Sequence, residues 1–136
     1  MSGEKLRIIL VDDNDIDIVV NTKLLRLANL TEHIESYSDG PEAVKKINSD
    51  QEKYVGFLNV LLLDIQMPDV DGFETLAIFE ELPEDFRKDF KIFMLSSSID
   101  RSDIEKAEQN KNIIKVLEKP LDVYLLKRLA LANANT

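Results

Sequence analysis

The chain has no cysteine, which rules out a disulfide framework and any thiolate metal site and is compatible with a reducing compartment. It has one histidine, His33, which is expected to be structural or exposed. Positive charge is scarce: 17 Lys and Arg stand against 26 Asp and Glu, for a net charge of -9. Such a balance argues against a sequence-independent grip on nucleic acid, and equally against an anionic membrane surface. Long apolar runs are missing too. The first, Leu6–Val11, is far too short for a signal-peptide core or a membrane span, so a cytoplasmic protein without membrane contact is expected. There is no internal repeat, low-complexity tract or linker. With 136 residues, a single domain over residues 1–136 is expected, with its core at about 5–132. With only Asn135 and Thr136 after the last helical pattern, no output domain is expected.

What is present is an alternation. Leu6–Val11 is β-branched-rich and nearly continuous in apolar character, as in a strand buried on both faces. Asp13 or Asn14 caps the helix that follows, where Ile16, Val19, Val20, Leu24 and Leu27 recur at helical spacing. Ile34–Tyr37 reads as a weaker strand. Ser38-Asp39-Gly40-Pro41 turns into a helix with Pro at its start and Ala43, Val44 and Ile47 on one face. Asn48–Lys53 reads as a polar loop. The third and most apolar strand begins at Phe57 or Val60 and ends at Leu63. Gly72–Glu81 is helical, Leu82–Phe90 an exposed connection and Lys91–Leu95 the fourth strand. Ser102 or Asp103 caps a polar helix to about Asn110, and Ile113–Leu117 is the fifth strand. Asp122 caps a last helix in which Val123, Leu125, Leu126, Leu129 and Ala130 recur, with Tyr124 mostly in the core.

Five strands alternating with five helices demand crossover connections. The expected fold is therefore α/β, a five-stranded parallel sheet doubly wound by helices on both faces. In such a sheet every strand ends at one edge, where ligands bind. The strand ends here carry Asp12 and Asp13, Asp64, Ser96 and Lys119. Three carboxylates brought close together repel and raise one another's pKa unless a cation intervenes. With oxygen ligands only, that cation is a hard one, Mg2+ or Mn2+ in its place. An Asp flanked by a metal and the Lys119 ammonium is equipped to attack phosphorus and form an acyl phosphate, with the Ser96 hydroxyl offered to the transferred oxygens.

Asp12-Asp13, the segment Asp64-Ile65-Gln66-Met67-Pro68-Asp69-Val70-Asp71-Gly72, Ser96 followed by Ser97, and Lys119-Pro120 together resemble the response-regulator receiver domains of two-component signalling, over roughly Lys5 to Ala132. The resemblance implies the flavodoxin-like strand order 2-1-3-4-5 and a stand-alone phosphoacceptor switch. It implies Asp64 as phosphoacceptor; Asp12, Asp13, Asp64 and the backbone carbonyl of Gln66 around Mg2+; and Lys119 and Ser96 against the phosphoryl group. The implied donor is a histidine kinase or a histidine phosphotransfer protein, and the only catalysis is of the chain's own phosphorylation and dephosphorylation. Side chains at Gln66 and Ser98 flank the path of an attacking water in that family and tune the acyl phosphate's lifetime. One position departs from the family pattern: Val116 stands where an aromatic ring usually couples to the hydroxyl at Ser96. The expectation is that phosphorylation moves the loop after Ser96 and the helix 101–110 without a ring flip. Two alternatives use the same residues. A Mg2+-dependent phosphohydrolase with an Asp nucleophile is disfavoured by the adjacent Asp12-Asp13 and by an isolated Asp on the third strand. A degenerate receiver that docks without phosphate is disfavoured by the complete acidic set with Lys119. Asp69, Asp71 and Gly72 are expected to be loop and cap chemistry.

Overall fold

The structure, a computed structural model, describes residues 5–132; residues 1–4 and the tail 133–136, with the expected ends at Asn135 and Thr136, lie outside the described residues. Strands β1 (Lys5–Val11), β2 (His33–Tyr37), β3 (Phe57–Asp64), β4 (Phe90–Ser96) and β5 (Ile113–Glu118) form one sheet in the order β2-β1-β3-β4-β5. Every neighbouring pair is parallel. The expected strand order is the observed one, and β3 begins at Phe57, the earlier of its two expected starts. The chain passes from β1 outward to β2 and then returns to pair β3 on β1's other side, so the order reverses between β1 and β3. That reversal opens a crevice at the carboxyl ends of these two strands.

The continuous apolar runs follow from burial on both faces. Ile8, Ile9, Leu10 and Val11 are all inaccessible to solvent. Ile9, Val11, Leu61, Leu63, Ile92 and Met94 pack into one core with residues of α2 (Gly40–Ser49) and α3 (Gly72–Phe79), and with Ala107 of α5 (Arg101–Glu108). Ile8, Leu10, Val60, Leu62, Phe93 and Leu95 point the other way, onto Leu25 of α1 (Asp15–Leu27) and Leu126 of α6 (Val123–Ala132). The edge strand β2 has little apolar character, and polar contacts hold it. Glu35 accepts from Tyr37 and Tyr54 and pairs with Arg7 at 3.3 Å and Lys53 at 2.8 Å. Burial works to raise the Glu35 pKa, but Lys53 and the two phenols outweigh it and hold the carboxyl below its usual range.

Several local expectations change. On α1, Asn14 is the cap, accepting from the Asp17 N–H at 3.0 Å, but the helix turns a different face inward. Ile16 is 73% and Leu27 75% exposed, and Val19 and Val20 also face solvent. Leu25 and the polar Asn21 are buried instead, because Asn21 Oδ1 accepts the Leu121 backbone N–H at 2.9 Å. Asp100, rather than Ser102 or Asp103, caps α5, accepting from the Asp103 N–H at 2.9 Å. The polar stretch after α2 closes into a 3-10 turn at Gln51–Tyr54 around the buried Tyr54 ring, and the expected connection 82–90 contains a one-turn helix, α4 (Glu84–Arg87). Tyr124 is 79% exposed, not core; Val123 and Leu126 occupy the inward face of α6.

Helices α2 and α3 approach so closely that a Cβ at Gly40 would overlap the Thr75 hydroxyl and come within 3.0 Å of its methyl carbon. Gly40→Ala is therefore expected to destabilise the fold by about 1–3 kcal/mol. In urea unfolding, adding Thr75→Ala should restore part of that loss, because the overlapping atoms are gone; strictly additive effects would contradict this packing.

Candidate functional site

Four strand ends deliver the site. Asp12 follows the last residue of β1, and its backbone N–H reaches the Tyr37 carbonyl at 3.0 Å, which extends the sheet ladder one step into the cleft. Asp64 is the last residue of β3 and is in register with Leu95. The Ile65 N–H continues this ladder to Leu95 O at 2.8 Å. Ser96 closes β4, and its carbonyl accepts the Lys119 N–H at 2.9 Å, which places Lys119 directly after β5. Backbone pairing thus fixes all four positions before any side chain is considered. The loop after Asp64 folds back over the strand tip, and a Cβ at Gly72 would overlap the Asp64 carbonyl oxygen. Asp71 then starts α3 with a reciprocal cap: its carboxylate accepts the Glu74 N–H at 2.8 Å, and Glu74 accepts the Asp71 N–H at 2.9 Å. Asp71 and Gly72 are cap and close-approach residues, as expected, and Asp69 adopts a left-handed turn conformation at φ 66°.

The resulting cleft holds more negative than positive charge. Asp12, Asp64 and Ser96 are buried, and Asp13 stands exposed at the mouth. One carboxylate oxygen from each of Asp12, Asp13 and Asp64 lies within 4.8 Å of the others. The Lys119 ammonium lies among these acids, 2.9 Å from Asp12, 2.7 Å from Asp17 and 3.6 Å from Asp64. Burial and the neighbouring Asp12 charge push the Asp64 carboxyl up to about 7; the Lys119 charge and the Gln66 N–H, 3.2 Å from Oδ1, only partly offset them. Burial works to depress the Lys119 pKa, but the carboxylates of Asp17 and Asp12 outweigh it and hold the ammonium above its ordinary value. An oxygen-only donor set short of positive charge suits a hard divalent cation.

Not every expected residue joins this cluster. Ser96 Oγ accepts the Ser98 N–H at 3.1 Å, beside the acids and without a direct bond to them. The side chains of Gln66 and Ser98 stand exposed at the rim. Val116 is half-buried in a cavity of about 200 Å³ between α5 and β5, next to Ile99, Ile104 and Ala107. Asp17 was not among the expected site residues, because an acid in the first turn of a helix is explained well enough by the helix dipole. The one available signal was its place in the first turn of the helix that starts directly after Asp12 and Asp13.

The sequence profile of the response regulator receiver domain matches residues 8–130. The fold is similar to the crystal structure of a response regulator receiver protein from Dyadobacter fermentans, with TM-score 0.86 and 36% identity, covering 93% of this chain and 96% of that one. It is also similar to a two component response regulator from Cytophaga hutchinsonii, with TM-score 0.85 and 28% identity, covering 97% and 99% of the two chains. Among curated proteins, hybrid signal transduction histidine kinase L of Dictyostelium discoideum is 35% identical over 81 residues, which is 59% of this chain and 4% of that protein. The chain therefore spans only a small fraction of that relative's length. A profile that runs without a break from β1 into α6, across every strand end that builds the acidic cleft, shows that the chain belongs to the response regulator receiver domain family of two-component signalling.

Proposed function

We propose that the chain is a phosphoacceptor switch and that Asp64 is the residue phosphorylated. The observation that carries this reading is the Asp64 carboxylate buried at the tip of β3, clustered with the carboxylates of Asp12 and Asp13 and 3.6 Å from the Lys119 ammonium. An Asp64 oxygen attacks the phosphorus of a phosphohistidine. The P–O bond forms as the P–N bond breaks, and the donor imidazole leaves with its electron pair and takes up a proton. Lys119 meets the charge on the phosphoryl oxygens, and Ser96 turns its hydroxyl from the Ser98 N–H toward them. Asp12, Asp13 and Asp64, with the backbone carbonyl of Gln66, would hold Mg2+ or Mn2+ in its place; the ion supplies charge neutralisation between carboxylates and phosphoryl group. Exposed Gln66 and Ser98 stand where they can shield or admit the water that ends the phosphorylated state.

The donor in this reading is a histidine kinase or a histidine phosphotransfer protein, and the setting is cytoplasmic. No helix among the described residues is long and apolar enough to cross a membrane. Catalysis is confined to the chain's own phosphorylation and dephosphorylation, with no external phosphate ester turned over. Without an aromatic ring at Val116, the phosphorylated state is reported through Ser96, the loop after it and α5, toward a protein target.

In Mg2+ and acetyl phosphate, intact-mass measurement should give one acid-stable, base-labile phosphoryl adduct that is absent in Asp64→Asn. Sustained turnover of a small phosphate ester, or no adduct, would contradict the switch. A second expectation concerns pH. Asp64 holds its proton up to about pH 7 in the folded chain, above the ordinary value of 3.8, so the folded state binds more protons than the unfolded one in between. The stability this group contributes is full below its unfolded pKa and is lost as pH rises through about 7. In metal-free thermal melts, the wild type should lose several degrees more than Asp64→Asn between pH 5 and pH 8. Mg2+ should remove the difference; equal slopes would count against the buried, uncompensated carboxyl.

A further inference from the structure

Asp17 is the second acid in the sequence after Asp13, and nothing in the phosphoacceptor reading uses it. Its position carries a simple alternative. With Asn14 as the cap, Asp17 is the third residue of α1, the place from which an acid normally reaches back to the cap's backbone N–H. At α3, the equivalent Glu74 does this to Asp71. At α1, the Asn14 N–H goes instead to Asp12 Oδ1 at 2.9 Å, and the Asp17 carboxylate is turned into the cleft to take Lys119 at 2.7 Å. This is the shortest of the three Lys119 contacts, and the side chain of Lys119 is 7% exposed against 34% for Asp17. An ammonium has three N–H donors. Two are engaged by Asp17 and Asp12, and Asp64 is left at 3.6 Å.

We propose that Asp17 is a positioning residue, a tether that holds Lys119 against α1 in the unphosphorylated chain and yields it when Asp64 carries a phosphoryl group. The proposal rests on the reading of Asp64 as phosphoacceptor. A phosphoryl group brings about two negative charges and three acceptor oxygens, a stronger partner for an ammonium than a single carboxylate. Asp17 is partly exposed, so water can solvate it once the ammonium leaves. The tether therefore sets how readily Lys119 reaches the reacting oxygens. It also keeps Lys119 from closing on Asp64, where it would compete with a cation.

The test compares Asp17→Asn with Asp15→Asn, which removes the same charge from the same helical turn at an exposed position. At saturating Mg2+, the acetyl phosphate adduct on Asp17→Asn should form about threefold to tenfold faster than on wild type. Calorimetric titration with Mg2+ alone should show binding weakened by about threefold, because the released Lys119 moves onto the metal's carboxylates. Asp15→Asn should change neither measurement by more than about 1.5-fold, as expected of a screened surface charge. Asp17→Glu, which retains the charge pair, should load near the wild-type rate. Matching effects in Asp17→Asn and Asp15→Asn, or slower loading in Asp17→Asn, would overturn the tether. If wild type forms no adduct, the phosphoacceptor reading falls separately. The Mg2+ titration then decides alone: weakening confined to Asp17→Asn supports the tether, and equal binding in all variants overturns it.

Discussion

One buried ammonium facing several carboxylates is the constraint on which the site depends. Lys119 contacts Asp12, Asp17 and Asp64, contributed by β1, α1 and β3, and its own backbone is pinned to Ser96 of β4. A lysine so enclosed is stable only while its partners stay charged and in place. The acids in turn outnumber their counter-charge, and burial together with the Asp12 charge holds the Asp64 carboxyl above its usual range. The cleft thus has room for one more cation, whose charge would offset both the clustered carboxylates and the negative charge a phosphoryl group adds.

The parallel sheet makes this arrangement possible without strain. The site residues sit at positions that continue strand ladders, so the hydrophobic register of β1, β3 and β4 fixes the carboxylates as firmly as it fixes the core. Gly72 allows the loop after Asp64 to close tightly over the strand tip, where any side chain would overlap the Asp64 carbonyl. Around this rigid base, the groups that would sense a change are differently held. Ser96 Oγ has a single backbone contact, and Val116 leaves a cavity of about 200 Å³ beneath α5.

The sheet and the main site were legible in the sequence because they rest on strong, repeated signals. Five apolar runs separated by helical patterns force parallel crossovers, and parallel crossovers bring Asp12, Asp13, Asp64, Ser96 and Lys119 to one edge. What was not legible depends on contacts distant in sequence. The inward face of α1 was misjudged because Ile16, Val19 and Leu27 match a helical period, whereas Asn21 is buried by a hydrogen bond to Leu121. The cap of α5 was expected at Ser102 or Asp103 and falls instead at Asp100, because all three side chains are competent and only the backbone geometry selects among them. Tyr124 was placed in the core because it lies among leucines, yet it falls on the outward face of α6. Asp17 escaped notice because its partner is 102 residues away and a helix-terminal acid has an ordinary explanation.

The most direct test of the central claim locates the phosphoryl group chemically. After treatment with acetyl phosphate and Mg2+, borohydride reduces an acyl phosphate to the alcohol, which peptide mass mapping can place. The account predicts reduction at Asp64 alone. Reduction at Asp12 or Asp13, or none at any carboxylate, would contradict it.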